Sequence, residues 1–280
     1  MKVTIKNIQT FKKQRHKITM LTAYDYPMGI LLDEAGVDII LVGDSLANVV
    51  LGLKSTSEVG MMEMIHHAKS VGRAVKNALL IGDMPFESYQ THPKDAVKNA
   101  RRFMKEAKCD GVKIEWFDGC VNVAKEIVKV DIPVMGHVGL TPQTAEKLGG
   151  FRVQGTEAKS ALAILENAKA LEKAGCFAVV LECIPTPLAK MITKALRIPT
   201  IGIGAGKYCD GQVLVTHDML GLVSRFHPKF VKKYFDLGQA ISNGVKKYCA
   251  EVRSGKFPDK KRSYDMKPDE IKKLFSKEKE

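Results

Sequence analysis

A chain of 280 residues that is 45% hydrophobic can bury one large core, and it exceeds the ~250 residues of a common βα barrel by a terminal helix and a tail. No apolar run approaches the ~20 residues needed to cross a bilayer, Met1-Lys2-Val3-Thr4-Ile5-Lys6 lacks the apolar block of a secretory signal, and the six cysteines form no C-x-x-C pair, which predicts a cytoplasmic, reducing setting with free thiols. The formal charge of +13 is scattered over Lys12-Lys13-Gln14-Arg15, Arg101-Arg102 and Lys260-Lys261-Arg262 without a nucleic-acid motif, so it reads as solvated helix faces, although an anionic substrate would also gain from such a field.

Val3, Ile5, Ile8 and Phe11 recur near helical spacing and predict a short amphipathic helix over residues 4–14, placed to cover a barrel floor. A first strand is expected over 18–23. Tyr24-Asp25-Tyr26-Pro27 then turns into a helix ending at Ala35-Gly36, with Pro27 in its first turn. Asp25 reads as the N-cap of that helix more readily than as a chemical group. Residues 38–45 form an apolar, β-branched run that stops abruptly at Gly43-Asp44-Ser45, as a buried parallel strand does. The same grammar recurs at 78–83, 111–115, 132–137 and 178–182, each run ending in an ionisable group.

Helical stretches are expected between these runs, at 59–77, 93–107, 117–128, 157–174 and 185–196. Repeated βα units of this kind close into an α/β barrel, a (β/α)8 TIM barrel, with strand C-termini converging on one mouth. His66 and His67 stand about 100° apart on their helix and are read as structural. Two long loops, 48–56 and 141–155, are candidate lids. Residues 198–206 make strand seven and flow into Gly202, Gly204 and Gly206, which do not spell a dinucleotide fingerprint because position 207 is Lys; they are read as close backbone approach to a ligand. Strand eight is expected at 212–215, a turn at 218–221 and a helical closing segment at 228–252. Residues 1–258 are thus read as a single barrel domain and 259–280 as a charged, mobile tail.

Lys113 and Glu115 lie two apart in a strand and so share its inner face, where a structural salt bridge is the plain reading. The crowd of acids argues for more. Asp44, Asp83, Glu115 and Glu182 all end strands of one barrel, and two carboxylates ~4 Å apart repel by about 4 kcal/mol at an effective dielectric of ~20. A divalent cation is the simplest offset, and oxygen ligands suit Mg²⁺ rather than Zn²⁺. A small 2-oxo acid could chelate such an ion through ketone and carboxylate, which acidifies the neighbouring C–H by stabilising an enolate. Glu182, one strand beyond the expected ligands, is then free to be the base.

Gly43-Asp44-Ser45, Asp83-Met84-Pro85-Phe86, Val112-Lys113-Ile114-Glu115, Gly136-His137-Val138-Gly139-Leu140-Thr141-Pro142-Gln143, Glu182-Cys183-Ile184-Pro185 and Ile201-Gly202-Ile203-Gly204-Ala205-Gly206 together resemble the 3-methyl-2-oxobutanoate hydroxymethyltransferase family. The resemblance runs from about residue 3 to Phe257-Pro258 and takes in Asp210-Gly211-Gln212-Val213-Leu214-Val215 and Asp218-Met219-Leu220-Gly221. It implies a barrel of the phosphoenolpyruvate/pyruvate-domain type with extra C-terminal helices. The implied reaction moves a hydroxymethyl group from 5,10-methylenetetrahydrofolate to the 2-oxo acid, giving 2-dehydropantoate on the way to pantothenate and coenzyme A. It further implies one Mg²⁺ per subunit at Asp44, Asp83 and Glu115, directly or through water. Ser45, Lys113 and His137 would hold the substrate with Asp44 and Asp83, and Glu182 would accept the proton. The family also implies a homo-oligomer, a decamer. After Phe257-Pro258 the pattern departs: the family usually carries a His near its end, where this chain has Lys260-Lys261-Arg262-Ser263-Tyr264 and a further charged segment. A related Mg²⁺-dependent C–C lyase is the alternative, but its K-K-C-G-H loop is missing; a nonenzymatic phosphate- or nucleic-acid-binding barrel is favoured by charge alone.

Overall fold

The computed structural model describes residues 2–148, 150–222 and 228–276. Helix α1 (Ile5–Gln14) is started by a capping box, in which the Thr4 hydroxyl accepts from the Asn7 N–H and the Asn7 side chain accepts from the Thr4 N–H. Among the described residues eight parallel strands follow, β1 (Ile18–Thr22), β2 (Ile39–Val42), β3 (Leu79–Asp83), β4 (Gly111–Glu115), β5 (Val134–Gly139), β6 (Ala178–Glu182), β7 (Thr200–Ile203) and β8 (Gly211–Leu214). They pair in sequence order, and β8 returns to β1 with Ile18 opposite Gly211, which closes the barrel. Around it run α2 (Tyr26–Glu34), the short α3 (Leu46–Val49), α4 (Met61–Ala74), the short α5 (Glu87–Gln90), α6 (Pro93–Ala107), α7 (Cys120–Val128), α8 (Ala158–Lys173) and α9 (Thr186–Ala195). After β8 come α10 (Thr216–Met219), α11 (Leu237–Arg253) and α12 (Pro268–Ser276). No described helix is long and apolar enough to cross a membrane.

Strand alternation divides the core in two. Ile40, Val42, Leu80, Val112, Ile114, Val134, Val179 and Leu181 face the helices, while Ile18, Met20, Ile39, Leu41, Leu79, Ile81, Met135, Val180, Ile201 and Val213 fill the barrel. Ile8 of α1 joins the inner set with no exposure, so α1 plugs the end where the strands begin. Gly82 falls on the outward face by alternation, where a Cβ would run into the Phe103 ring of α6, so the position suits glycine. Along β3 to β6 the inward residues change character toward the other end: Leu79 and Ile81 give way to Asp83, Gly111 to Lys113 and Glu115, Met135 to His137, and Val180 to Glu182. An apolar floor thus lies below an ionisable mouth.

Three expectations change. The closing helix starts at Leu237 instead of 228, because backbone bonds from Tyr234 and Leu237 N–H to Met219 and Leu220 C=O tie the preceding chain down outside a helix and Asp236 caps α11. Helix α7 starts at Cys120, after Gly119 at φ +101°. Gly202, Gly204 and Gly206 do not open space for a ligand: side chains of Cys209, Phe230 and Thr186 occupy the positions their Cβ atoms would take, and Gly204 and Gly206 have φ of +63° and +77°. The described part of the tail holds α12, none of whose residues is buried; residues 277–280 lie outside the described residues.

Candidate active site

Neighbouring strand ends bring the predicted residues into one arc. Pairing of β3 with β4 sets Asp83 opposite Lys113, and pairing of β4 with β5 sets Glu115 opposite His137. The Lys113 ammonium donates to both Asp83 oxygens, at 2.7 and 2.8 Å, and stands 3.8 Å from Glu115. His137 lies between two acids, Nδ1 3.4 Å from Glu115 and Nε2 3.3 Å from Glu182, at ion-pair distance but outside hydrogen-bond geometry. Asp44 follows β2; its N–H donates to Asp83 Oδ2 at 3.3 Å. Ser45 Oγ shares a 2.8 Å hydrogen bond with the Tyr24 hydroxyl. Asp44, Asp83, Lys113, Glu115 and His137 are all buried, whereas the Glu182 side chain keeps 15% of its surface exposed.

Burial pushes both Asp44 and Asp83 up to about 6, against the pull of Lys113. Burial alone would lower His137, but Glu115 and Glu182 outweigh it and raise it to about 9. Burial likewise opposes the Lys113 charge and is outweighed by Asp83, Glu115 and Asp44, which raise its pKa.

The donor set suits a hard cation. Asp44, Asp83 and Glu115 present three buried carboxylates; Lys113 is engaged with Asp83, and Glu115 Oε1 is buried without a hydrogen-bond partner. Yet among the described residues no three His, Cys, Asp or Glu side chains already form a metal-holding group. Three buried carboxylates are oxygen donors of the kind that Mg²⁺ takes, one or two at a time with water in its remaining positions.

Other expectations fall outside this arc. Asp25 is the N-cap it was read as, accepting from Met28 N–H at 2.8 Å. His67 sets Nδ1 2.7 Å from the Tyr24 carbonyl, and His66 is exposed. The cysteines are free; Cys183, beside Glu182, is only partly buried. The loops expected as lids meet through the 3-10 turns Thr56–Glu58 and Pro142–Leu148, although Gly149 lies outside the described residues.

Sequence reasoning missed three neutral neighbours. Gln143 donates to Asp44 Oδ2, Tyr89 donates to Gln143, and Tyr24 holds Ser45. All three stand in the segments after strand ends, and the available signal was position: Tyr24 and Gln143 follow β1 and β5 within a few residues.

A family model described as ketopantoate hydroxymethyltransferase matches residues 2–260. A 3-methyl-2-oxobutanoate hydroxymethyltransferase of Clostridium botulinum (strain Loch Maree / Type A3) is 53% identical over 98% of this chain and 100% of its own length. The protein of that name from Moorella thermoacetica (strain ATCC 39073 / JCM 9320) is 56% identical over 94% of this chain and 98% of its own. Solved barrels share the fold at low identity. Phosphonopyruvate hydrolase aligns with a TM-score of 0.62 at 12% identity, over 99% of this chain and 96% of that one. For 2,3-dimethylmalate lyase, a PEP mutase/isocitrate lyase superfamily member, the TM-score is 0.59 at 14% identity, over 99% of both chains. A family model spanning all but the two ends and relatives identical at more than half of their positions place the chain: it belongs to the ketopantoate hydroxymethyltransferase family of transferases.

Proposed function

We propose that this protein transfers the one-carbon unit of 5,10-methylenetetrahydrofolate to C3 of 3-methyl-2-oxobutanoate, consuming water and giving 2-dehydropantoate and tetrahydrofolate in pantothenate and coenzyme A biosynthesis. The observation that carries the reading is the arc itself, in which buried acids able to hold a cation lie beside Lys113 and His137 and end at the partly exposed carboxylate of Glu182. Asp44 and Asp83, with Glu115 directly or through water, would hold one Mg²⁺ per subunit. That ion supplies Lewis-acid stabilisation of the negative charge that develops on the oxo oxygen as the C3 proton leaves. Ser45, Lys113 and His137 hold the substrate with Asp44 and Asp83, Lys113 and His137 facing its carboxylate. Glu182, 3.3 Å from His137, accepts the C3 proton; water releases the methylene from both folate nitrogens as formaldehyde, the substrate carbon bonds to that carbon, and the aldehyde oxygen takes up a proton as the new hydroxyl.

The same reading makes the protein a cytoplasmic homo-oligomer, a decamer by family. Helix α11 supports self-association: none of its residues is buried, and Ile241, Val245, Tyr248 and Val252 stand exposed along it.

The test is proton exchange. Incubated with Mg²⁺ and 3-methyl-2-oxobutanoate in D₂O without folate, the protein should exchange the C3 proton, followed by NMR. Glu182→Gln should slow exchange and turnover by a similar factor, about 10²- to 10⁴-fold. Exchange at the wild-type rate with lost turnover would assign the base elsewhere.

A further inference from the structure

We propose that Gln143 is a positioning residue for the carboxylates of Asp44 and Glu115, with Tyr89 fixing the direction in which its amide points. A buried primary amide has two N–H donors and one carbonyl to satisfy, and its orientation is set by its partners. Gln143 is buried, and all three demands are met within the protein. Nε2 donates to Asp44 Oδ2 at 2.9 Å and to the Met84 carbonyl at 3.0 Å, while Oε1 accepts from the Tyr89 hydroxyl at 2.6 Å. The direction of that last bond is not arbitrary. The Glu115 N–H donates to the Tyr89 oxygen at 3.2 Å, so the phenol's own proton is the one directed at Gln143. Gln143 then reaches the second acid through its backbone, its N–H donating to Glu115 Oε2 at 3.1 Å.

The circuit joins the end of β2, the segments after β3 and β5, and the end of β4. One oxygen of each carboxylate is committed by it. Asp44 Oδ2 and Glu115 Oε2 belong to Gln143, which leaves the other oxygen of each for a cation; Glu115 Oε1 makes no hydrogen bond, with Lys113 Nζ 3.8 Å and His137 Nδ1 3.4 Å from it. Replacing a partner that orients a ligand in this way typically costs about 10- to 100-fold in metal affinity. The inference rests on the Mg²⁺ reading above.

Mn²⁺, whose aqua ion is visible by electron paramagnetic resonance, serves as the probe and is titrated into metal-free protein without substrate. Gln143→Met keeps the side-chain volume and the backbone N–H but removes the amide, and should weaken the Mn²⁺ Kd by about 10- to 100-fold. Tyr89→Phe should weaken it less, and the double variant no more than Gln143→Met alone. Thermal unfolding of the metal-free proteins monitors the fold. A variant that melts earlier but keeps the wild-type Kd would overturn the proposal, because Gln143 would then only support the loop. If Gln143→Met does not fold, Tyr89→Phe decides: weakened Mn²⁺ binding supports the circuit and an unchanged Kd overturns it. Asp44→Asn separates the two ideas. Should wild type fail to bind Mn²⁺, or Asp44→Asn bind as tightly, the metal reading itself fails; wild-type binding lost in Asp44→Asn but kept in Gln143→Met would sink the positioning role alone.

Discussion

Lys113 gives its one positive charge chiefly to Asp83, and Asp44 is left with a neutral amide for a partner. Its carboxyl, at about 6, lies above the ~3.9 of an unfolded chain. A group raised in this way stabilises the fold below its unfolded pKa, and that contribution is lost as pH rises through the folded value. At pH 7 without metal, ionised Asp44 therefore works against folding. Asp44→Asn should abolish turnover while raising metal-free stability at pH 7 by on the order of 1–3 kcal/mol, an advantage that shrinks by pH 4. Calorimetry in chelator at both pH values checks this; a lower melting temperature than wild type at pH 7 would show the carboxylate to be structural. The acids of the site were legible because a parallel strand buries alternate residues, which turns Asp83, Glu115 and Glu182 inward at the same end. Ser45 entered only through family resemblance, and His137, legible as the ionisable end of its strand, took its substrate role from that resemblance alone, since a hydroxyl or an imidazole in a strand end has many bland uses. Gln143 and Tyr89 were not legible as site residues. They are neutral, stand off the strands and gain their roles from partners many residues away.

Asp33 closes helix α2, where a negative charge opposes the helix dipole, yet it is buried. Its purpose is to start β3: it accepts from Lys76, Asn77 and Ala78 N–H and from the Asn77 side chain, at 2.7 to 3.2 Å. Burial raises its pKa, but these donors outweigh burial and hold it below the usual value. Such a group stabilises the fold above the unfolded pKa, and the gain is lost as pH falls through the folded one. Asp33→Asn should cost about 1.5–3 kcal/mol in urea unfolding at pH 7, with the gap to wild type closing near pH 3. A gap independent of pH would mean that shape, not charge, matters there. Elements were legible in proportion to their hydrophobic period. The strands at 111–115 and 178–182 agree with expectation at both ends, because buried apolar runs bounded by Gly or Cys leave little choice. The stretch from 228 to 236 was misread as helix because its bonds to Met219 and Leu220 are tertiary. The three glycines in and after β7 misled for a related reason: close approach was correct, but the approaching atoms are the protein's own.

At the scale of the molecule, α12 buries no residue, and deleting residues 267–280 should leave kcat/KM within about threefold of wild type. A folded but inactive truncation would show that the segment serves the site. The barrel's last pairing has a consequence for how the protein is made. Ile18 meets Gly211, so closure waits for a strand synthesised late in the chain, and the entropy of closing so long a loop falls due before the seam gives anything back. A nascent chain ending short of Gly211 already contains Asp44, Asp83, Glu115 and Glu182, but its sheet is still open, with unpaired backbone along β1 and β7. Open edges of that kind invite pairing with other chains. On the ribosome the hazard is therefore association, and arrival of β8 ends that exposure as it completes the ring on which the mouth depends.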